Sequence, residues 1–420
     1  MPRHFILTPV GSAGDVNPFL WIAHGLRARG QAVTLILTPP FDELARAAGL
    51  PVVTVGTLAD YERLVRDPDL WHAGRAMNLI LGHAGRATET QFEAIAAAAD
   101  RAGHDDVVLA GSLLALGARL AREKFGWPLA TIHLQPSVFL SVHETPVLRA
   151  HLEGFARLPR WLKRLCFALP NPLDQAAGPA VRAACARAGV PPPRSLMREW
   201  MHSPDAVLGL FPAWFGPPQP DWPPRCRLAG FPLYDRGERP ELAPEVERFL
   251  AAGPPPVLFT PGSAMAHGHE FFAAALAACD RLGARAILAT AHREQLPARL
   301  PATALAVDYA PFSRLLPRVA AVGHHGGIGT LSQALAAGVP QLVMPMAHDQ
   351  PDNAQRLVRL GVAVRLYPRR FTAARVAAAL DHLRRDAAVR AACTAAAERV
   401  RADRPAEVVF DTLETLRRAA

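Results

Sequence analysis

Two series of alternating strand and helix patterns, separated by a proline-rich stretch, restrict the fold of this chain more than any other feature. The first series begins with an apolar run at His4–Val10 and a helical pattern at Pro18–Arg29, and the second begins with an apolar run at Val257–Thr260. Alternation of this kind produces parallel sheets that are covered by helices on both faces. The sequence therefore predicts an α/β fold with two doubly wound, Rossmann-like parallel-sheet domains.

The proline-rich stretch predicts where the two domains divide. Residues 215–224 and 253–256 are too rich in proline for regular structure, because proline fixes φ and lacks a backbone donor. We place the boundary between them, near residue 238, with a first domain at 1–238 and a second at 239–420 that ends in a helical tail. A chain of 420 residues suits two domains of about 200 residues each.

Composition excludes several classes of protein. The five cysteines show no CxxC spacing, so neither a disulfide framework nor a metal site is predicted. No apolar stretch reaches the ~18 to 20 residues of a membrane-spanning helix, and the first residues do not read as a secretory signal. These patterns predict a cytoplasmic protein.

The net charge of +9 comes almost entirely from arginine, since the chain has only two lysines, Lys124 and Lys163. Such a charge balance suits binding to an anionic substrate or to an anionic membrane surface. The alternative is that the arginines only make the protein surface more soluble. The arginines are dispersed among acidic residues with no basic–aromatic run. A nucleic-acid partner is therefore not expected.

The strongest local motif is a glycine-rich turn that follows a strand and opens a helix, His324-His325-Gly326-Gly327-Ile328-Gly329-Thr330. Glycines let the backbone approach a ligand closely, and the start of a helix presents free N–H groups at the positive end of its dipole. The turn predicts a cradle for a diphosphate, with His324 and His325 as additional donors. Zinc binding by the two histidines is a rival interpretation, although adjacent residues rarely face one metal.

Two further loops follow strands of the second series. The first loop, Thr260-Pro261-Gly262-Ser263, can donate hydrogen bonds from a hydroxyl and from N–H groups to the predicted diphosphate. The alternative is an ordinary turn between a strand and a helix. The second loop is His348-Asp349-Gln350, where the carboxylate of Asp349 and the carboxamide of Gln350 can bind neighbouring hydroxyls of a sugar. The alternative is that this loop only caps the following helix. Ligands bind at the carboxyl ends of strands in open α/β sheets, which favours sugar binding here.

In the first series, Asp15 lies in the turn from the first strand to the first helix, before Asn17 as N-cap and Pro18 as the first helical residue. A carboxylate at this edge of a sheet can accept the proton of an acceptor hydroxyl as a general base. The alternative is a helix N-terminal carboxylate that the helix dipole stabilises. The residues alone leave both roles open.

Together these motifs resemble glycosyltransferase family 1, whose members have the two-domain GT-B fold. Within that family they are most similar to the bacterial rhamnosyltransferases of mono-rhamnolipid synthesis, over essentially the whole chain. The further stretches that carry this likeness are 111–119, 200–204, 211–215, 230–233 and 347–354.

The resemblance implies an acceptor-binding first domain that faces a donor-binding second domain across a cleft. It implies that His325 contacts the donor diphosphate, that Ser263 belongs to a phosphate-binding loop, and that Asp349 and Gln350 read the donor sugar. Tyr309 stands where the family usually has a tryptophan that stacks on the base, and a tyrosine ring can also stack. Asp15 stands where plant members carry the catalytic histidine, which implies that Asp15 is the general base.

The resemblance thus implies an inverting transfer of L-rhamnose from dTDP-L-rhamnose to a lipophilic hydroxy acid, a 3-(3-hydroxyalkanoyloxy)alkanoate, to give mono-rhamnolipid. The donor is a co-substrate, and no cofactor or metal is expected; Asp67-Pro68-Asp69 reads as a turn. A glucosyltransferase acting on a sterol, a polyketide or another lipophilic aglycone is the alternative. A sugar-nucleotide epimerase and a non-catalytic binding protein are further candidates.

One more segment bears on partners. Between Gly154 and Pro170, apolar residues including Trp161 and Leu165 recur at helical spacing, with arginines among them. Such a helix suits peripheral contact with the inner face of the cell membrane, or guidance of a lipid acid. The alternative is a helix that covers the acceptor domain and turns a basic face to solvent.

Overall fold

The computed structural model describes residues 3–72, 74–103, 106–169, 171, 173–235, 241–263 and 265–418. The chain divides into two compact units. Unit 1 comprises Met1–Pro146, His151–Pro232 and Arg404–Ala420, and unit 2 comprises Val147–Ala150 and Leu233–Asp403. The predicted boundary near residue 238 lies outside the described residues.

The described part of unit 1 contains a seven-stranded sheet in the order β3-β2-β1-β4-β5-β6-β7, and every pairing in it is parallel. Its strands are β1 (His4–Thr8), β2 (Ala32–Leu37), β3 (Val52–Thr54), β4 (Val107–Ser112), β5 (Leu129–His133), β6 (Ala206–Gly209) and β7 (Cys226–Leu228). The central strands are nearly continuous apolar runs, as expected of a sheet that is buried on both faces.

The helices of unit 1 fill both faces of this sheet and build two cores. They are α1 (Ala13–Ala28), α2 (Phe41–Ala47), α3 (Leu58–Arg66), α4 (Ala76–Ala102), α5 (Leu116–Phe125), α6 (Arg160–Ala168), α7 (Leu173–Ala188) and, at the end of the chain, α15 (Pro405–Thr415). One core surrounds the fully buried Trp127, and a second joins α4, α5 and α7 around Leu120 and Val181.

Unit 2 repeats the architecture with six parallel strands in its described residues, in the order β10-β9-β8-β11-β12-β13. The strands are β8 (Val257–Thr260), β9 (Ala286–Ala289), β10 (Ala304–Val307), β11 (Ala321–His324), β12 (Gln341–Val343) and β13 (Ala363–Arg365). The helices are α8 (Pro244–Ala251), α9 (His269–Arg281), α10 (Phe312–Leu315), α11 (Ile328–Ala337), α12 (Gln350–Arg359), α13 (Ala373–Arg385) and α14 (Ala387–Ala402). The prediction of two Rossmann-like parallel-sheet domains is thereby confirmed.

The final helix, α15, packs against α1 in unit 1. The ring of Phe410 stacks on Trp21 with centroids 5.3 Å apart, and it lies over Gly25, where a Cβ would overlap the ring. Arg3 Nη1 donates to the carbonyl of Leu416 at 2.6 Å. The predicted division grouped the whole helical tail with the second domain, whereas the structure groups its last segment with unit 1 through these contacts.

Helix α1 begins five residues earlier than predicted, at Ala13 instead of Pro18. Ser12 is the N-cap and Asp15 completes a capping box with it, so two backbone donors are satisfied before Asn17 is reached. Pro18 therefore lies inside the helix. This shift moves Asp15 from a turn into the first helical turn.

The described helices include none with both the length and the apolar character required to cross a lipid bilayer.

Candidate active site

Three loops of unit 2 meet at one edge of its sheet. They follow β8, β11 and β12, which are neighbours in the strand order. The last residues of the first two strands are register partners, His324 with Thr260, and His324 also pairs with Val343. The chain runs outward from β8 through β9 to β10 and then returns to place β11 on the other side of β8. The gap between β8 and β11 is therefore the topological switch point, where open α/β sheets bind ligands.

His324 is held inside the protein. It is 0% exposed, its Nδ1 accepts from the N–H of Gly326 at 3.0 Å, and its Nε2 lies 2.9 Å from Gln341 Oε1. Because Nδ1 is the acceptor, Nε2 carries the proton and donates to Gln341. Burial lowers the pKa of His324 to about 4, against the opposing effect of this hydrogen bond. Both ring nitrogens are thus engaged within the chain, so His324 orders the glycine-rich turn, whereas the sequence suggested a direct contact with the donor.

The ring of His325 lies against two glycines. A Cβ on Gly262 would sit 2.7 Å from its Cε1, and a Cβ on Gly327 would overlap its Nε2. Burial, together with repulsion from His324 and His348, lowers the pKa of His325 to about 3. Its Nδ1 is buried and has no hydrogen-bond partner among the described residues. His325 is therefore a neutral imidazole with unused hydrogen-bonding capacity beside the cradle.

This packing predicts that Gly327→Ala weakens nucleotide binding. The new methyl group would push the His325 ring away from the turn, although the backbone of Gly327 itself (φ −65°, ψ 141°) suits any residue. We expect titration calorimetry to show that thymidine diphosphate binds at least about tenfold more weakly, because the variant loses about one charge-assisted hydrogen bond to the ligand. Gly154→Ala is the matched control, because a Cβ there meets nothing within 4 Å. Equal affinity in both variants would contradict this role for Gly327.

The first turn of α11 completes the predicted cradle. Gly327 is its N-cap, and the first hydrogen bond of the helix runs from the N–H of Leu331 to the carbonyl of Gly327 at 3.1 Å. The N–H groups of Ile328, Gly329 and Thr330 precede that bond and have no acceptor within the helix. They point outward at the positive end of the helix dipole, an arrangement that binds anions.

The residues predicted to read the sugar stand at the start of α12. Asp349 is the N-cap residue, and its Oδ2 accepts from Asn353 Nδ2 at 2.6 Å. Gln350 is buried, and its Oε1 accepts the N–H groups of Met346 and Ala347 at 2.8 and 3.2 Å. The oxygen of Gln350 therefore holds the preceding turn, and only its amide nitrogen remains for a ligand.

Asn353 joins this helix to the glycine-rich turn. Its Nδ2 also donates to the carbonyl of Gly326 at 2.9 Å, and the side chain is 0% exposed. A Cβ on Gly326 would sit 3.3 Å from the carbonyl of Gln350, so the turn and the helix start are closely packed. The structure thus brings together His325, the α11 start and Asp349–Gln350 as one connected group.

Ser263 and Tyr309 stand nearer to the rim. Ser263 is exposed and follows Gly262, whose φ of 100° sets the direction of the loop. Tyr309 is 46% exposed, two residues after the end of β10. The predicted roles of Ser263 toward phosphate and of Tyr309 toward the base stay predictions.

Sequence reasoning missed Gln341 and Asn353, which hold the predicted residues in place. Gln341 is an apparently misplaced polar residue at the start of a buried strand, and it is fully buried against His324. Asn353 comes four residues after Asp349, the spacing of side chains that meet on one helix face. Both signals were present in the sequence, but only the fold shows which partners they reach.

In unit 1, Asp15 occupies the corresponding edge of the other sheet, after β1. Its Oδ2 accepts from the N–H of Ser12 at 2.7 Å and from Ser12 Oγ at 3.0 Å, while Oδ1 makes no hydrogen bond to the described residues. Gly11, at φ 140°, leaves room for this carboxylate, because a Cβ there would overlap it. Burial raises the pKa of Asp15 despite the opposing hydrogen bonds from Ser12. The residue is thus both a capping group and a carboxylate of raised proton affinity.

Tyr61 of α3 lies in the same neighbourhood and was not foreseen. Its ring packs edge-on against Phe41 at 5.4 Å, and burial followed by the negative charge of Asp15 raises the pKa of its hydroxyl.

Comparison with known proteins identifies the family to which this chain belongs. Residues 273–416 match the C-terminal domain model of erythromycin biosynthesis protein CIII-like proteins. The chain is 32% identical over 412 residues to the O-mycaminosyltylonolide 6-deoxyallosyltransferase of Streptomyces fradiae, covering 96% of this chain and 93% of that protein. The chain belongs to the GT-B glycosyltransferases. It is also 31% identical over 369 residues to the vancomycin aglycone glucosyltransferase of Amycolatopsis orientalis, over 86% and 84% of the two chains.

A solved structure agrees with this glycosyltransferase fold. The spinosyn rhamnosyltransferase complexed with thymidine diphosphate superposes with a TM-score of 0.71 over 98% of this chain and 100% of that one, at 19% identity. The predicted membership of the GT-B glycosyltransferases and the predicted class of enzyme are confirmed. The narrower likeness to the rhamnosyltransferases of mono-rhamnolipid synthesis stays a prediction.

Proposed function

We propose that this glycosyltransferase moves L-rhamnose from dTDP-L-rhamnose to a 3-(3-hydroxyalkanoyloxy)alkanoate with inversion at the anomeric carbon, giving mono-rhamnolipid. The observation that carries the donor half of the proposal is the neutral His325 beside the free N–H groups of α11. These groups suit a leaving diphosphate, because preorganised donors stabilise the negative charge that develops on it. The cytoplasmic location expected from the sequence, with peripheral contact at the membrane, is part of the proposal.

Similar proteins support a deoxysugar carried by thymidine diphosphate. One relative is named for a 6-deoxyallosyl group, and a structural neighbour is a rhamnosyltransferase complexed with thymidine diphosphate. Rhamnose is likewise a 6-deoxyhexose. In the proposal Tyr309 stacks on the thymine, Ser263 contacts phosphate, and Asp349 with the Gln350 amide nitrogen binds sugar hydroxyls.

Unit 1 supplies the base in this proposal. The Asp15 carboxylate takes the proton of the acceptor hydroxyl while the acceptor oxygen bonds to the anomeric carbon and the bond from that carbon to the phosphate oxygen breaks. dTDP leaves with the bonding electrons, and Asp15 later releases its proton to solvent. The raised pKa of Asp15 favours proton capture in this step.

No metal ion or cofactor takes part in the proposed reaction. The α11 N–H groups and His325 carry the charge of the leaving group, the role that a divalent ion plays in other glycosyltransferases. His324 has both nitrogens engaged by Gly326 and Gln341, which also weakens the rival interpretation of a zinc site at the His pair.

A second candidate is a glucosyltransferase that acts on a polyketide, sterol or other lipophilic aglycone. It is favoured by the likeness to the vancomycin aglycone glucosyltransferase over most of both chains. The site geometry in unit 2 suits either nucleotide sugar, because the cradle contacts the diphosphate that both share.

A mass-spectrometric transfer assay tests the two candidates. The purified protein receives 3-(3-hydroxydecanoyloxy)decanoic acid with dTDP-L-rhamnose or UDP-glucose, in buffer containing EDTA. We expect a rhamnosyl product only with dTDP-L-rhamnose, with kcat unchanged by EDTA. A product only with UDP-glucose would overturn the rhamnose assignment, and activity restored only by added Mg²⁺ would overturn the metal-free mechanism.

A parallel reaction separates an error in the acceptor from an error in the donor. Isothermal titration with dTDP and UDP measures the base preference without any acceptor. Tight dTDP binding without transfer would retain the donor assignment and exclude this acceptor, whereas preference for UDP would exclude the donor.

A further inference from the structure

Helix α6 in unit 1 turns large apolar side chains toward solvent. Trp161, Leu165 and Leu169 are 67%, 57% and 60% exposed. They are spaced by four residues, the last being the C-cap, so they follow one edge of the helix. Exposed apolar residues that form a continuous edge, in contrast to scattered ones, mark an interaction surface.

Arginines border this apolar edge. Arg157, Arg160 and Arg164 are exposed, and none of them forms an ion pair with a residue that the structure describes. At about 100° per residue, Arg164 lies about 60° from Trp161 around the helix axis, so the basic and apolar edges are adjacent. The exposed half of α6 is therefore basic along one side and apolar along the other.

The opposite side of α6 is fixed to unit 1. Lys163 is buried and its Nζ donates to the carbonyl of Ala156 at 3.2 Å. Arg198 Nη2 donates to the carbonyls of Phe167 and Leu169 at 2.5 and 2.8 Å. These contacts attach the opposite side of α6 to unit 1, so the face with Trp161 and Leu165 stays in solvent. The simpler expectation from the sequence, a covering helix with only its basic face in solvent, does not account for the exposed tryptophan and leucines.

We propose that this face of α6 docks on an anionic phospholipid surface. Trp161, Leu165 and Leu169 enter the boundary between headgroups and acyl chains, while the arginines contact lipid phosphates. Helices with these two adjacent edges lie in the plane of a membrane interface, and the unpaired positive charge selects anionic lipid over a neutral apolar partner. The inference deepens the peripheral membrane contact of the proposed function and rests on it, but it does not depend on the sugar or acceptor proposed above.

Vesicle co-sedimentation of the full chain tests the proposal. Vesicles contain phosphatidylcholine alone or with one quarter phosphatidylglycerol, at about 0.1 M salt. We expect binding only to the anionic vesicles. Arg160→Gln/Arg164→Gln should weaken it about 30-fold, because each arginine near the surface contributes about fivefold to binding. Trp161→Ser/Leu165→Ser should weaken it at least about tenfold.

The matched control removes the same charge elsewhere. Arg281→Gln/Arg375→Gln neutralises two exposed arginines on α9 and α13 and should bind as the wild type does. Losses of equal size in the control and α6 variants would overturn the proposal, as would failure of the wild type to bind anionic vesicles. A change in oligomeric state of the α6 variants without altered vesicle binding would instead identify an interface between copies.

A second measurement does not depend on the folding of the serine or glutamine variants. Lipids brominated on the acyl chain should quench tryptophan fluorescence of the wild type on binding. Trp161→Phe keeps an apolar ring at this position, so it should bind within about threefold of wild type and lose most of the quenching. Equal quenching in both proteins would place a different surface at the membrane.

Discussion

The Asp15→Asn variant is expected to transfer sugar about 10³-fold more slowly than the wild type, in the range that a general base contributes. Asparagine keeps an oxygen that can accept the hydrogen bonds of Ser12, so the cap of α1 persists while the base is lost. A discontinuous assay of product under saturating donor and acceptor measures the change in kcat. Donor binding by titration calorimetry should change less than about threefold, since unit 2 binds the donor in our proposal.

The pH dependence of the wild type checks the same assignment. Burial raises the pKa of Asp15 above its ordinary value, and the base acts in its ionised form. Activity should therefore fall as the pH is lowered through that raised pKa, at a higher pH than for an ordinary aspartate. His325, with a pKa of about 3, is neutral throughout this range and adds no further step to the pH–rate profile.

Stability should change in the opposite sense from activity. The pKa of Asp15 is higher in the folded state than in the unfolded state, so folding disfavours the ionised carboxylate. This lowers the free energy of unfolding at pH values above the raised pKa. The loss of stability disappears as the pH falls below that pKa. Asp15→Asn at neutral pH should thus unfold at the same temperature as wild type or slightly higher, measured by differential scanning calorimetry.

Asp60 supplies the control for Asp15. It occupies the same position in the first turn of α3, where Thr57 is the N-cap and donates to Asp60 Oδ2 at 2.6 Å, but it is exposed. Asp60→Asn should leave kcat within about twofold of wild type. If both substitutions slowed transfer equally, helix capping would explain the effect and Asp15 would not be the base.

The second large effect is expected from His325→Ala, which should lower kcat/KM by about 10² to 10³. That is the magnitude of losing one preorganised donor to a developing oxyanion. The Nδ1 of His325 is buried without a described partner, so a ligand is the group that would satisfy it. Steady-state kinetics with varied donor give the change in kcat/KM, and thymidine diphosphate affinity should fall in parallel.

His382→Ala is the control for His325, because His382 lies half exposed on α13, at the other end of its helix from the sheet edge. It should transfer at the wild-type rate. Should His325→Ala retain full kcat/KM while Gly327→Ala loses nucleotide affinity, the cradle would act through its backbone alone and the role of the imidazole would be excluded.

The sequence by itself determined the class of fold, and it predicted where the candidate donor site lies. Strand–helix alternation gave parallel sheets, since only a crossover helix returns the chain to the same edge. The glycines at 326 and 327 marked a close backbone approach, and the strand before them placed that approach at the carboxyl end of the sheet. Because these are short-range patterns of residue type and spacing, one chain without relatives is enough to read them.

Only the tertiary structure decided what each polar side chain does. It showed that His324 is hydrogen-bonded to Gly326 and Gln341, and that α1 starts at Ala13. It also showed that the side-chain oxygen of Gln350 accepts a backbone N–H of the preceding turn. It also showed that α6 exposes its apolar edge while burying Lys163. These outcomes depend on which distant residue fills each neighbouring space and which hydrogen-bond partner lies within reach, and spacing along the chain does not contain that information.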